Sequence, residues 1–396
     1  MAERMTAGVR AHRGPSEERA ARSGWLAARN LLSRPILTAY LAPLWSFGYG
    51  LLALLWTLGA TGYPFDEAVD PDARLSLLGT VAPRLGAAGL ATLALLGAVV
   101  GVAMLLGRGR GLGRLLAVGF GAFMAITFAV LLPDLRVLMA MAYTPVLLVL
   151  APFGWPQGVS LASELTWPLV HQLIVIAGGV MWAGATIRYR RRTAGACERC
   201  GRAPNALGEQ DLARAARLGR GAVVVAVAIP LLYVATRWAW ALSVPLGTTA
   251  DGLSDYVGNQ RLGGVMLAGV AALGALLTTG LVLRWGEVVP RWVPFIGGRR
   301  IPPGLAIVPA SLVTIVITTG GLAFMRLTIV GQMPFRMDEW GVVGPTLLWP
   351  VWGAALGIAT FAYSDRRRGT CRACGRGSMA RVQVSDTTPD SAAPSD

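Results

Sequence analysis

Long apolar stretches dominate the chain, and short segments rich in arginine separate them. A membrane-spanning helix needs about 20 mostly apolar residues. One apolar run, 137–152, is shorter than this length and carries Pro145, so it is expected to be a re-entrant or interfacial segment. The pattern predicts an all-α membrane protein with eight transmembrane helices. The eight predicted spans are 36–60, 85–107, 115–133, 167–187, 222–246, 262–283, 305–325 and 343–363.

The placement of arginine orients these spans. All 36 basic residues are arginine, and 29 of them fall on one side of the predicted membrane, with six on the other and Arg237 inside a span. The positive-inside rule makes the arginine-rich side cytoplasmic, and a span over 137–152 would move the run Arg190–Arg192 outside. We therefore expect both termini in the cytoplasm and an anionic inner leaflet as the lipid partner.

Composition excludes a water-soluble globule, because only 14% of the residues are charged and 54% are hydrophobic, whereas soluble domains carry about 25% charged residues. The net charge of +15 would suit a nucleic-acid-binding protein if the chain were soluble. Distributed along the spans, the charge is instead a topology signal, and we expect no nucleic-acid partner. A protein partner or a homo-oligomer stays open.

The chain contains two sets of matched features. The triplet Arg84–Gly86 returns as Arg261–Gly263, and the motif Cys-x-x-Cys-Gly-Arg occurs once after the fourth span and once after the eighth. Four spans per half give both halves the same orientation, so we expect two parallel four-helix repeats. The predicted organisation is a basic arm at 1–35, a first repeat at 36–187, a cytoplasmic linker at 188–221, a second repeat at 222–363, a second cysteine motif at 364–376 and a disordered tail at 377–396.

The four cysteines of the chain form the strongest chemical signal, since all belong to the two repeated motifs: Cys197, Cys200, Cys371 and Cys374. Two residues between thiolates let one turn point both sulfurs at one ion, and four thiolates make a closed structural zinc site. The two pairs lie farther apart in sequence than in an ordinary zinc ribbon, so we expect each repeat to supply half of a single site. The neighbouring arginine run is expected to lower the pKa of the thiols. Thiol redox chemistry, and no bound ion, stay open.

Polar residues at membrane depth are candidates for ligand binding or transport. Arg237 lies in the outer third of the fifth span, where it either extends to the outer surface or serves an internal role. A polar outer vestibule is expected around His171, Asp134 and Arg136.

Matching helix interruptions add two candidate positions. Pro43 in the first span corresponds to Pro230 in the fifth. Paired interruptions of this kind are a pointer to the binding site of a transporter, although prolines are also ordinary in packed membrane helices.

Three sequence segments resemble uncharacterised polytopic membrane proteins of high-G+C bacteria: Trp285–Phe295, Gly298–Pro303 and Pro133–Arg136. The resemblance implies a multi-pass protein of a bacterial plasma membrane and no particular function. The sequence has none of the common hydrolase or ATPase motifs, so we expect no enzymatic activity. The expected function is a scaffold or regulator whose zinc joins the two repeats. The alternatives are a transporter for a small or amphiphilic anion through the cleft between the repeats, and a thiol redox or metal sensor.

Overall fold

A computed structural model describes residues 35–107, 109–150, 165–202, 209–369, 371 and 373–375. Within these residues the chain folds into helices that are joined by turns and short loops. The predicted basic arm lies outside the described residues up to position 34, and the predicted tail at 377–396 lies wholly outside them.

Seven helical segments among the described residues are long and apolar enough to cross a membrane, and they match seven of the eight predicted spans. They are Pro83–Leu105, Leu112–Leu131, Trp167–Thr193, Ala216–Ala241, Gln260–Thr279, Pro303–Ile329 and Trp340–Arg367. The length and hydropathy of these seven helices indicate a membrane protein.

Two predicted features, the first span and the re-entrant or interfacial segment, are not among these seven helices. The first predicted span, 36–60, is the uncharged helix Pro35–Thr57, which is not one of the seven, so eight spans stay a prediction. The run predicted as re-entrant, 137–152, begins as a 16-residue helix, Leu135–Leu150, that contains Pro145. Its relation to the bilayer also stays a prediction.

Contacts group the described residues into two compact units. Unit 1 contains the described residues up to Pro133 together with Leu165–Thr193, and unit 2 contains the rest. The helix Leu135–Leu150 belongs to unit 2, where Leu138 packs so closely on Gly320 that a Cβ there would lie 2.5 Å from its side chain. The boundaries of the two predicted repeats stay a prediction.

Unit 1 is built from four helices around an aromatic core. A small residue lets the helices Pro35–Thr57 and Pro83–Leu105 approach each other, because a Cβ at Gly101 would lie 2.9 Å from Pro43. The core holds Tyr49, Trp56 and Trp182, and the Trp45 and Tyr49 rings stack with centroids 4.9 Å apart. The helices are α1 (Pro35–Thr57), α2 (Pro83–Leu105), α3 (Leu112–Ile126, continued by a π-helical turn over Thr127–Leu131) and α5 (Trp167–Thr193).

The described residues of unit 2 form seven helices. Pro303–Ile329 and Trp349–Arg367 pack along each other, and Glu209–Ala241 packs on both Gly258–Thr279 and Trp349–Arg367. Pro350 has no N–H to donate within a helix, and the helix is interrupted at Leu348, between Trp340–Leu347 and Trp349–Arg367. The helices are α4 (Leu135–Leu150), α6 (Glu209–Ala241), α7 (Ala250–Ser254), α8 (Gly258–Thr279), α9 (Pro303–Ile329), α10 (Trp340–Leu347) and α11 (Trp349–Arg367).

Candidate metal centre

The four cysteines predicted to form one site lie together in unit 2. The Cys197 and Cys371 sulfurs are 4.0 Å apart, the Cys200 and Cys374 sulfurs are 3.6 Å apart, and all four lie within 4.8 Å of one another. In a tetrahedron with metal–sulfur bonds of about 2.3 Å, the sulfurs are about 3.8 Å apart. The sulfur–sulfur distances of the quartet are therefore close to those of a four-thiolate metal site.

Each cysteine pair is shaped by the same backbone turn. The N–H of Gly201 donates to the carbonyl of Cys197 over 2.7 Å, and the N–H of Gly375 donates to the carbonyl of Cys371 over 2.8 Å. Both glycines have positive φ, 75° and 67°, a conformation that is costly for residues with a Cβ. The glycine in the repeated motif thus lets the chain fold back so that both sulfurs face one point.

Two arginines connect the first turn to the segment that leads into the second. The guanidinium of Arg202 donates to the carbonyls of Arg368 and Gly369 over 2.8 and 3.0 Å. In the opposite direction, the guanidinium of Arg368 donates to the carbonyl of Cys200 over 3.0 Å. These reciprocal contacts hold the two halves of the site together across more than 160 residues of sequence. Neither role was predicted. Arg202 directly follows the first Cys-x-x-Cys-Gly, which was an available signal, whereas Arg368 precedes the second motif and no spacing marks it.

The backbone favours thiolates at this position. The N–H groups of Cys200 and then Arg199 point at the Cys197 sulfur and lower the pKa of that thiol to about 6. The N–H groups of Ala373 and Cys374 lower the pKa of the Cys371 thiol in the same way. Backbone donors, rather than the neighbouring arginine run, are therefore the main cause of the predicted lowering. The thiolate is the form that binds a metal ion.

The donor set is suited to a soft or borderline metal ion and to tetrahedral geometry. Four sulfur ligands in this arrangement are typical of zinc or of iron–sulfur sites. All four cysteines are free thiols, and the 3.6 Å between the Cys200 and Cys374 sulfurs is well beyond the bond length of a disulfide, about 2.05 Å. The four residues could therefore hold one metal ion.

The candidate His171 lies in the core of unit 1. Its side chain is fully buried, and its Nε2 is 2.9 Å from the hydroxyl oxygen of Tyr49. The rings of Trp56, Phe65 and Trp167 surround it with centroids 5.3 to 6.0 Å away. His171 is thus part of an aromatic cluster rather than of an open polar surface in this unit.

The candidates Asp134 and Arg136 form an ion pair at the start of α4. The Asp134 carboxylate is fully buried and accepts from the backbone N–H of Arg136 over 2.9 Å and from its Nε over 3.1 Å. The two charges compensate each other, and Asp134 immediately precedes Leu135, the first residue of α4.

The candidate Arg237 is engaged in packing between α6 and α10. Its guanidinium donates to the carbonyls of Gly341 and Val342 over 3.0 and 3.2 Å, and it lies 4.6 Å from the Tyr233 ring centroid and 4.2 Å from that of Trp240. These contacts favour the internal role that the sequence left open.

The two candidate prolines lie in different units. Pro43 is inside α1 in unit 1, and Pro230 is inside α6 in unit 2. Of the predicted site residues, the structure brings together the four cysteines, and it brings Asp134 to Arg136.

Comparison with protein-family models, with curated proteins and with solved structures finds no match for this chain. Its function is therefore inferred from the chemistry of its own residues. Among the described residues, the cysteine quartet has the clearest chemistry.

Proposed function

We propose that this chain is a non-enzymatic integral membrane protein whose four cysteines hold one structural zinc ion. The observation that carries the proposal is the convergence of four sulfur atoms within 4.8 Å, from two turns that share one backbone geometry. The ion would join the segment that precedes α6 to the segment that follows α11. The protein would then act as a scaffold or regulator at the bilayer.

A closed site supports a structural role over a catalytic one. Catalytic zinc sites keep one coordination position for water or substrate, whereas four thiolates fill a tetrahedral site. All four cysteines of the chain converge within 4.8 Å of one another, as the ligands of a single ion would. This favours metal binding over thiol redox chemistry.

The contacts of Arg237 with two carbonyls and two rings favour packing over ligand transport.

Elemental analysis of the full chain, purified in detergent without added metal, tests the proposal. We expect about one zinc per chain and little iron. The double variant Cys200→Ser/Cys374→Ser should lose the zinc. The matched control Ala373→Ser adds a hydroxyl to the same exposed turn without removing a thiol, and it should keep the zinc. A folded protein that contains no metal and whose four thiols all react with an alkylating reagent would contradict the proposal.

A further inference from the structure

Unit 1 contains a cleft where α1 begins and where α2 and α5 end. The cleft has a volume of about 160 Å³. Four of its lining residues present polar groups: Tyr40, Arg188, Tyr189 and Arg192. Arg188 and Arg192 are four residues apart on α5, so they lie on one face of the helix. The guanidinium of Arg192 also donates to the carbonyl of Leu105 at the end of α2, over 3.2 Å, which orients it at the cleft.

An apolar groove of about 630 Å³ continues from the same place along the outside of the helices. It shares Tyr40 and Pro43 with the cleft, so the two spaces adjoin. Beyond them it is lined by exposed apolar side chains of α1 and α2, among them Leu44, Phe47 and Val99, whose exposed fractions are 67, 52 and 67%. The eight residues from Tyr40 to Phe47 extend about 10 Å along α1.

Gly101 and Pro43 lie where α1 and α2 meet, and Pro43 lines both spaces. Gly101 allows α2 to approach Pro43 of α1, and both residues line the cleft. Pro43 cannot donate a backbone hydrogen bond within α1. The matched interruption noted in the sequence thus coincides, in unit 1, with a surface depression.

We propose that this surface binds one anionic phospholipid. The headgroup phosphate would lie at Arg188 and Arg192, and one acyl chain would follow the groove along Leu44, Phe47 and Val99. Guanidinium groups match phosphate oxygens in charge and in geometry, and tyrosine hydroxyls are suited to the headgroup level of a bilayer. The combination of two cations with an adjoining apolar groove has the polarity pattern of a phospholipid rather than of a soluble anion.

The position along the helices is consistent with this occupant. α2 and α5 are both long and apolar enough to span a membrane, and the arginines follow the apolar part of α5. The ends of such helices lie at the headgroup level, where anionic lipids attract arginine. The anionic inner leaflet expected from the sequence would thus supply one lipid that binds at Arg188 and Arg192.

Native mass spectrometry of the full chain in detergent tests the site. The probes are phosphatidylglycerol and phosphatidylcholine with identical acyl chains, and glycerol phosphate as a soluble headgroup. We expect wild-type protein to retain phosphatidylglycerol over phosphatidylcholine by about 25-fold, since each arginine near a headgroup contributes about fivefold. The double variant Arg188→Gln/Arg192→Gln should lose this preference, whereas Arg188→Lys/Arg192→Lys should keep most of it.

The matched control is Arg110→Gln/Arg190→Gln, which removes the same charge from exposed arginines that do not line the cleft. It should retain the preference of the wild type. Val99→Trp, which places a large ring in the groove, should weaken retention of both lipids. Equal retention of the two lipids by the wild type, equal loss in the control, or competition by glycerol phosphate as strong as by the lipid would each overturn the proposal. Elution volume and thermal unfolding verify that every variant folds.

Discussion

The two Cys-x-x-Cys turns of unit 2 share a motif and a backbone conformation, but their surroundings differ. In the first turn, Arg202 donates to the two carbonyls that precede the second turn, and Cys200 is buried with 9% of its surface exposed. Cys374 of the second turn is only half-buried. The motif therefore determines the local position of each sulfur pair, whereas the meeting of the two pairs depends on arginine contacts between segments that are distant in sequence.

Removing one thiol from either turn should have the largest effect. If the two turns share one ion, Cys197→Ser and Cys371→Ser each leave three thiolates, and both should lower the zinc content from about one to below about 0.1 per chain after chelator treatment. Elemental analysis of the two purified variants measures this. A variant of one turn that keeps its zinc while the other loses it would show that the turns do not share an ion.

Removing the contacts between the turns should have an intermediate effect. Arg202→Ala deletes two hydrogen bonds to the second segment and should raise the dissociation constant for zinc about tenfold, as loss of outer-shell partners does elsewhere. Arg368→Ala, which deletes the reciprocal bond to Cys200, should act in the same direction. Titration against a competing chelator measures both, with Arg217→Ala, an exposed arginine of α6, as the control. Wild-type affinity in both variants would mean that the thiolates alone join the turns.

Changing the turn glycines should have the smallest effect, and an equal one in both turns. Gly201→Ala and Gly375→Ala each place a Cβ on a residue with positive φ, which costs about 1 kcal/mol, or about fivefold in zinc affinity. Gly369→Ala is the control, because that glycine does not have positive φ and has open space around its Cβ position. The same chelator titration applies. A loss in the control as large as in the turn variants would contradict the backbone explanation.

The cysteine quartet could be predicted because its signal is local and repeated. Two thiols two residues apart, followed by glycine, define a turn, and the same turn occurs twice with a separation of 174 residues. The seven helices that are long and apolar enough to span a membrane were also predictable, since hydrophobic length alone indicates them.

Long-range partners were not predictable from spacing. The carbonyls that accept from Arg237 lie 104 and 105 residues away, and the aromatic rings around His171 come from three separate parts of the chain. No periodicity links such residues, because each contact depends on how helices pack in three dimensions. The sequence placed His171 in a polar vestibule on the basis of depth, but depth does not determine whether a side chain faces a core or a surface.

The position of the second cysteine pair also has a consequence for the order of assembly during synthesis. A chain is made from its N-terminal end, so Cys197 and Cys200 are available long before α11 and the pair that follows it. Until then the first turn offers only two of the four ligands. If the quartet binds an ion, high-affinity capture would require that α11 has been made and has reached its place, so the occupancy of the site would report on the assembly of unit 2.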